Sequence, residues 1–97
     1  MEERVYLINL YDYYGELLTD KQMLYFEDYY FNNLSLAEIS EIYEISRNAI
    51  HKQLKEVESK LLYYEDKLKL YEKKNKIEKL LNKIDKEDIV KEIKELI

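Results

Sequence analysis

Hydrophobic residues recur every three or four positions along most of the chain, which is the spacing of amphipathic helices. The pattern predicts a first helix from Glu2 to about Tyr14, ended by Gly15. A second helix begins after Thr19, whose side chain can cap it. It closes at Asn33, because asparagine tolerates the left-handed conformation that ends many helices.

Two short helices follow, each with its own start signal. Ser35 and Glu38 have the spacing of a capping box, in which each side chain accepts from the other residue's backbone N–H. Ser46 sets a second N-cap three residues after the first apolar stripe ends. The two stripes consist of Leu36, Ile39, Ile42 and Tyr43, and then Ile50 and Leu54 with Ala49 beside them. This layout predicts a helix-turn-helix, whose second helix can lie in a DNA major groove.

From Ile50 onward the apolar positions alternate steps of four and three, as in a heptad seam. The seam comprises residues 50, 54, 57, 61, 64, 68 and 71. It predicts that the second motif helix continues as one long helix to about residues 71–75. A further amphipathic segment spans residues 77–84, and Asp85 then caps a last short helix.

Short amphipathic ends of this kind cannot bury their apolar faces alone. They must fold back on the long helix or pack on a second copy of the chain. The long seam is self-complementary and two-fold dimers are the commonest oligomers, so we expect a symmetric homodimer.

With no proline and a single glycine among 97 residues, nothing but capping residues breaks the helices, which indicates an all-α protein. We expect a helical bundle with a long C-terminal helix and short terminal helices. The expected division is a helix-turn-helix domain over residues 1–58 and a C-terminal dimerisation segment over residues 59–97, continuous with the second motif helix. No apolar run is long enough to insert in a membrane and the first ten residues lack a signal-peptide layout, so we expect a cytoplasmic protein.

The net charge of −5 is unevenly distributed. Residues 1–45 contain two bases and ten acids, whereas residues 46–97 contain fourteen bases and eleven acids. The sign therefore changes at Ser46, where the second motif helix begins. Phosphate would be repelled by the first half, so either any nucleic-acid contact lies in the second half or the partner is not a nucleic acid.

The outward side of the second motif helix has side chains suited to a DNA groove. Arginine can make two bonds to guanine, asparagine can pair with adenine in the same way, and lysines suit phosphates. The predicted nucleic-acid-binding residues are Arg47, Asn48, His51, Lys52 and Lys55. The alternative is an ordinary polar helix surface on a protein that kept the fold and lost the binding.

No catalytic site is predicted, and we expect a protein that is not an enzyme. His51 is the single histidine, there is no cysteine, and one glycine cannot build a phosphate-binding loop. The same composition predicts no metal site and no cofactor. The eleven tyrosines exceed what a small core can hide. They either form a core with hydroxyls at its rim or an aromatic surface for a partner.

The stretch LAEISEIYEISRNAIHKQL resembles region 4 of bacterial sigma factors and related helix-turn-helix regulators, which read roughly L-x-E-I-A-x-x-L-G-I-S-x-x-T-V-x-x-x-L. Leu18 to Ser35 resembles the helix before the motif in the same group. The outright matches are Leu36, Glu38, Ile39, Ile45, Ser46 and Leu54. Glu44 stands where the pattern has glycine. If the turn needs a positive φ, glutamate costs about 1 kcal/mol relative to glycine there.

Taken with its length, tyrosine-rich beginning and lysine-rich end, the whole chain resembles the small YlxM-type proteins of low-GC Gram-positive bacteria and mycoplasmas. These are encoded beside the GTPase of the signal recognition particle and are described as regulators linked to that pathway. The resemblance implies a nucleic-acid-binding regulator with DNA as its partner. The alternative that it leaves open is a helical interaction module that binds the particle's RNA or its GTPase rather than DNA. A purely structural dimer is a third possibility.

Overall fold

The computed structural model describes residues 2–97, and within that range the regular structure is entirely helical. The six α-helices are α1 (Glu2–Tyr14), α2 (Asp20–Phe26), α3 (Leu36–Tyr43), α4 (Arg47–Leu68), α5 (Leu70–Leu81) and α6 (Glu87–Leu96). A 3-10 turn (Gly15–Leu17) follows α1, and a π-helical turn (Glu27–Phe31) extends α2. The predicted all-α class is confirmed.

The predicted start signals of α2, α3 and α4 are confirmed. Thr19 and Ser35 each form a complete capping box at the start of α2 and α3, and Ser46 Oγ accepts from Ala49 N at 3.1 Å at the start of α4. The predicted end at Asn33 is also confirmed, since its φ is 55°. Gly15 follows the last residue of α1 without a positive φ. A Cβ there would lie 2.9 Å from Cε2 of Tyr11, so close approach of this ring is what requires the glycine.

The core consists of two clusters that share α4. In the first, α1 packs on the middle of α4, so that Leu10 and Tyr14 lie against Val57 and Leu61. The remaining buried members of this cluster are Leu7, Leu18, Phe26 and Tyr30. In the second, α3 packs on the beginning of α4, and the buried members are Tyr25, Ile39, Ile50 and Leu54. The helix-turn-helix therefore has a core of its own beside that of α1.

The heptad seam of α4 is covered by the chain's own helices over its first four positions. Ile50, Leu54, Val57 and Leu61 are all buried in the two clusters. Leu68, further along the seam, is 47% exposed. The seam before residue 62 is thus not a free surface for a second copy, and a homodimer would need other residues.

The prediction of one long helix to residues 71–75 is wrong. The helix breaks at Lys69, which adopts a left-handed conformation with φ 55° and ψ 31°. A non-glycine residue in this region costs about 1–2 kcal/mol. The chain resumes as α5 at once, so the break is a sharp bend between two helices.

Two side chains outside α5 accept hydrogen bonds from its first three backbone N–H groups. The N–H of Leu70 donates to the hydroxyl of Tyr14 at 3.1 Å. The next two N–H groups, of Tyr71 and Glu72, donate to the carboxylate of Glu65 at 3.1 Å each. Because these groups would otherwise be unpaired at a helix start, the bonds compensate for the interrupted helix. They give the physical reason for the break.

The last helix, α6, begins one residue later than predicted. Asp85 is not the N-cap of α6; Lys86 occupies that position, and its side chain makes no capping bond. In the described chain no residue of α6 is buried. Its last residues nevertheless approach α5, because Leu96 and Ile97 line a groove of about 300 Å³ with Tyr13 and Leu70. The helix folds back only in part.

Tyrosine hydroxyls pair with carboxylates across helix boundaries. The donor–acceptor pairs are Tyr11–Glu27 at 2.8 Å, Tyr14–Glu65 at 2.6 Å, Tyr30–Glu58 at 2.8 Å and Tyr43–Asp28 at 2.6 Å. Most tyrosines are therefore buried or half-buried with hydroxyls at the rim of the core, as in the first of the two predicted arrangements. Tyr63, at 59% exposed, is a clear exception.

Arg4 ties the beginning of α1 to the end of the π-helical turn. Its Nη2 donates to the carbonyls of Tyr29 at 3.1 Å and Tyr30 at 2.8 Å, and to Oδ1 of Asn33 at 2.8 Å. The guanidinium also lies 4.9 Å from the ring centroid of Tyr30, within cation–π range. One of the two bases in the first half of the chain thus has a structural role.

Candidate nucleic-acid interface

The turn between α3 and α4 has the left-handed backbone conformation that glycine adopts readily, at the position where the sigma pattern has glycine. Glu44 adopts φ 56° and ψ 41°, so this position does require the left-handed conformation. Ser40 makes two hydrogen bonds to Ile45 across the turn. Its carbonyl accepts from Ile45 N at 3.2 Å, and its hydroxyl donates to the Ile45 carbonyl. These bonds and the buried Ile39 and Ile50 fix how α4 leaves α3.

The five predicted contact residues lie together at the start of α4. At about 100° per residue they occupy an arc of about 140°. Lys52 lies about 160° around the helix from the buried Leu54, whereas Arg47 lies at the edge of the arc, about 20° from it. The five side chains, all exposed, are Arg47, Asn48, His51, Lys52 and Lys55. The structure therefore brings the predicted set onto one solvent-facing surface.

The dimensions of this surface suit a duplex. An α-helix with its side chains is about 10–12 Å across. The major groove of B-DNA is about 12 Å wide and admits an α-helix. The first two turns of α4 are thus slim enough to enter the groove.

The electrostatics of the surface are mixed. Lys55 Nζ lies 3.3 Å from Glu58, whose carboxylate also accepts from Tyr30, so this lysine is partly neutralised. Among residues 3–97, Arg47 and Lys52 have no carboxylate within ion-pair distance. The neighbouring helix α3 and its turn add only acids to the surface, namely Glu38, Glu41 and Glu44. Attraction of phosphate must therefore come from α4 or from residues beyond it.

Three polar side chains that were not predicted as part of the site hold α4 in place. Gln22, 4% exposed, donates from Nε2 to Gln53 Oε1 at 3.3 Å, and its own Oε1 accepts from Lys60 Nζ at 2.9 Å. The Oε1 atom also completes the capping box of α2. In the sequence, Gln22 stands three residues after Thr19, which is the spacing of a capping box, but that spacing does not predict its bonds to Gln53 and Lys60.

Other kinds of site find no support in the described residues. Across the searched part of the chain, no three His, Cys, Asp or Glu side chains come close enough together to hold a metal ion. No helix within residues 2–97 combines the length and apolar composition that crossing a bilayer requires.

Comparison with known proteins gives consistent matches. The model of the family UPF0122, described as "Putative helix-turn-helix protein, YlxM / p13 like", matches residues 1–97. A UPF0122 protein of Ureaplasma parvum serovar 3 is 46% identical over 94 residues, which cover 97% of this chain and 95% of that protein. One of Caldanaerobacter subterraneus subsp. tengcongensis is 49% identical over 63 residues, which cover 65% of this chain and 54% of that protein.

A third relative, from Malacoplasma penetrans, is 52% identical over 52 residues, covering 54% of this chain and 49% of that protein. The chain thus spans about half the length of the Caldanaerobacter and Malacoplasma proteins and nearly all of the Ureaplasma one. The family model covers every residue of the chain, and the Ureaplasma relative is matched almost end to end. The chain belongs to the UPF0122 family of YlxM/p13-like helix-turn-helix proteins.

Proposed function

We propose that the protein is a DNA-binding regulator that reads duplex DNA with the first two turns of α4, rather than an enzyme. The observation that carries the proposal is the single exposed face formed by the five residues named above. Arg47 and Asn48 stand at the start of the helix, where helix-turn-helix proteins make their base contacts. Lys52 and Lys55 follow one and two turns later, in positions to meet the sugar–phosphate backbone.

The family description supports the helix-turn-helix part of this proposal. The N-cap bond of Ser46 and the closed turn at Ser40 give α4 a defined exit from α3, which a reading helix needs. The acids of α3 oppose backbone contact by the first motif helix. We therefore expect modest affinity at physiological salt and a steep loss as salt rises.

The test begins with selection of preferred sequences from random duplex DNA. The Arg47→Ala, Lys52→Ala double variant is then compared with wild type on a selected and an unselected duplex. A Lys91→Ala, Lys94→Ala double variant in α6 removes the same charge and serves as the control. We expect the preference of the α4 variant to fall by about 1–3 kcal/mol for each base that its side chains no longer bind. Unchanged preference in that variant would place the reading surface elsewhere.

We also propose that the regulator acts as a homodimer in the cytoplasm, bound to two half-sites. Because the first half of the α4 seam is covered, the apolar side of α6 and the turn before it are the surfaces that support association. Ile84, Ile89 and Leu96 are 47%, 48% and 84% exposed. Light scattering after size exclusion distinguishes a dimer from a 12.0 kDa monomer. An Ile89→Glu variant should dissociate the dimer and Lys91→Glu should not; a wild-type monomer at micromolar concentration contradicts the proposal.

The alternative function is binding of the signal recognition particle, through its RNA or its GTPase. The acidic first half of the chain favours a basic protein partner over phosphate. Exposed Leu24 and Phe31 on the α2 side add apolar area to this acidic part. Co-purification from the protein's own cells, with and without nuclease, separates the two functions. Recovery of the GTPase after nuclease treatment, with no DNA preference in the selection, favours the alternative.

A further inference from the structure

The strongest concentration of positive charge lies on α5, away from the predicted reading helix. Residues 69–83 contain six lysines and two glutamates. With about 100° per residue, Lys73, Lys76 and Lys79 fall within an arc of about 120° on the side of α5 that faces solvent, and Lys69 and Lys83 flank the two ends of the helix. We call this surface the lysine stripe; its members are Lys69, Lys73, Lys76, Lys79 and Lys83, all exposed.

The opposite side of α5 explains why the lysines are confined to one face. Leu81 is buried, and Ile77 and Tyr71 are half-buried against the rest of the fold. The sixth lysine, Lys74, is turned toward α1, where its Nζ lies 5.9 Å from the ring centroid of Tyr13. Glu78 is also half-buried on that side. Because Glu78 lies on the inner face, its negative charge is not part of the lysine stripe.

One acid remains within the lysine stripe. Glu72 lies 3.2 Å from Lys76 and 3.7 Å from Lys69, so it bridges two of the five lysines. The hydrogen bond and charge of Lys76, followed by the charge of Lys69, lower the pKa of the Glu72 carboxyl from its ordinary value. Five lysines around a single acid leave a net charge of +4 on this surface. The remaining side chain on it is Leu80, which is 61% exposed.

The length of the lysine stripe suits the backbone of a duplex. From Lys69 to Lys83 the chain rises about 21 Å at about 1.5 Å per residue. One strand of B-DNA places a phosphate every 3.4 Å or so, so about six phosphates fall within this length. Lysines are flexible point charges that contact phosphates without reading sequence. The absence of arginine within residues 69–83 fits a backbone contact.

Two features select a DNA duplex over other polyanions. Single-stranded nucleic acid is bound with aromatic stacking platforms. Tyr71, the aromatic residue of α5, is instead packed against Tyr6 and Tyr13, with ring centroids at 5.7 and 6.3 Å. The same chain carries a helix-turn-helix, which can enter the major groove of B-DNA but not the deep, narrow groove of an RNA duplex.

We propose that the lysine stripe of α5 is a second DNA contact, which binds the phosphate backbone of a duplex independently of sequence. The inference rests on the proposed function, because it adds affinity to the complex whose sequence is read by α4. It supplies the backbone attraction that α3, with its glutamates, cannot give.

The test compares two triple variants of the full-length protein. The stripe variant carries Lys73→Gln, Lys76→Gln and Lys79→Gln. The control carries Lys86→Gln, Lys91→Gln and Lys94→Gln, which changes the net charge equally outside the stripe. Glutamine is a good helix former, so circular dichroism should show both to be folded. Affinity for selected and unselected duplex DNA is measured over a range of salt concentrations.

The slope of log affinity against log salt is negative, and each phosphate that the protein no longer neutralises makes it shallower by about 0.9. We expect the slope of the stripe variant to be shallower than that of wild type by about 2–3. Its ratio of selected to unselected affinity should be unchanged. The control should keep the wild-type slope. Equal slopes in the two variants overturn the proposal, as does tighter binding of wild type to an RNA duplex of the same sequence.

The two proposals fail in distinguishable ways. If the Arg47→Ala, Lys52→Ala variant loses its preference while the stripe variant behaves as the control, reading by α4 stands and the stripe proposal falls. If the stripe variant loses its salt slope while the α4 variant keeps its preference, the stripe proposal stands and reading by α4 falls. Wild-type protein that binds no duplex DNA overturns both.

Discussion

The hydroxyl of Tyr14 lies 2.6 Å from Oε1 of Glu65, although 51 residues separate them along the chain. The same hydroxyl accepts from the N–H of Leu70, and the same carboxylate accepts from the two N–H groups that follow. Tyr14 and Glu65 are 1% and 7% exposed, so the pair is largely withdrawn from water. One buried pair thus joins α1, α4 and α5 where the chain bends.

Replacement of Tyr14 by phenylalanine should destabilise the protein by about 1–3 kcal/mol, since Leu70 N–H and a buried carboxylate each lose a partner. Chemical denaturation measures the loss, and hydrogen exchange should show faster exchange at the start of α5. Tyr63→Phe is the matched control, because Tyr63 is 59% exposed and should change stability by less than about 0.5 kcal/mol. Equal effects of the two substitutions contradict this role of the pair.

Alkaline pH should destabilise the protein through its tyrosines. Burial, followed by the bond to Glu65, raises the pKa of Tyr14 from 10.0 to about 12. The bond to Asp28, followed by burial, raises the pKa of Tyr43 to about 12 as well. Their stabilisation is fully present below pH 10, the ordinary tyrosine pKa, and is lost as pH rises toward 12.

The free energy of unfolding, followed by circular dichroism at increasing pH, should therefore decline over this alkaline range. Phenolate absorbance of the native protein should rise later than that of the unfolded chain. A Tyr14→Phe, Tyr43→Phe double variant should show a shallower decline than wild type. An identical decline in the two proteins contradicts the assignment.

Glycine at position 44 should stabilise the protein. Glu44 has φ 56°, a conformation that glycine adopts without the cost that a side chain incurs. We expect Glu44→Gly to raise the free energy of unfolding by up to about 1 kcal/mol. Glu41→Gly removes the same charge inside α3 and should instead cost about 1 kcal/mol. Thermal denaturation of both variants provides the measurement; a loss of stability in Glu44→Gly argues against strain at the turn.

Arg4 should matter more to stability than the other base in the first half of the chain. Its guanidinium bonds two backbone carbonyls and Asn33, whereas Lys21 is exposed. We expect Arg4→Met to cost about 1–3 kcal/mol, because methionine keeps most of the apolar stem but none of the donors. Lys21→Met is the control for the lost charge. If urea denaturation gives similar midpoints for the two, the contacts of Arg4 contribute little.

The helices could be predicted from sequence wherever their signals are local. Ser35 and Ser46 mark their helices by short-range capping rules, and the outward set on α4 follows from helical period alone.

The bend at Lys69 could not be predicted, because lysine carries no turn signal and the heptad pattern continues through it. The bonds that compensate for it come from Glu65 and from Tyr14, which is distant in sequence. Likewise, the lysines of α5 can be read from the sequence. The sequence does not show that Glu78 is half-buried, which leaves Glu72 as the one acid among these lysines. The division at residue 58 and the homodimer stay predictions.

The contact between α1 and the later helices has a consequence for synthesis. The ribosome produces α1 before the later helices, and Leu61 and Glu65, which pack against it, are made about 50 residues later. At about 5–20 residues per second that interval lasts roughly 3–10 s. During it, Leu7, Leu10 and Tyr14 lack Val57 and Leu61, whereas α3 can close on the beginning of α4 as soon as Ile50 and Leu54 have been made. A nascent chain should therefore form its helix-turn-helix before it can protect α1 from proteases.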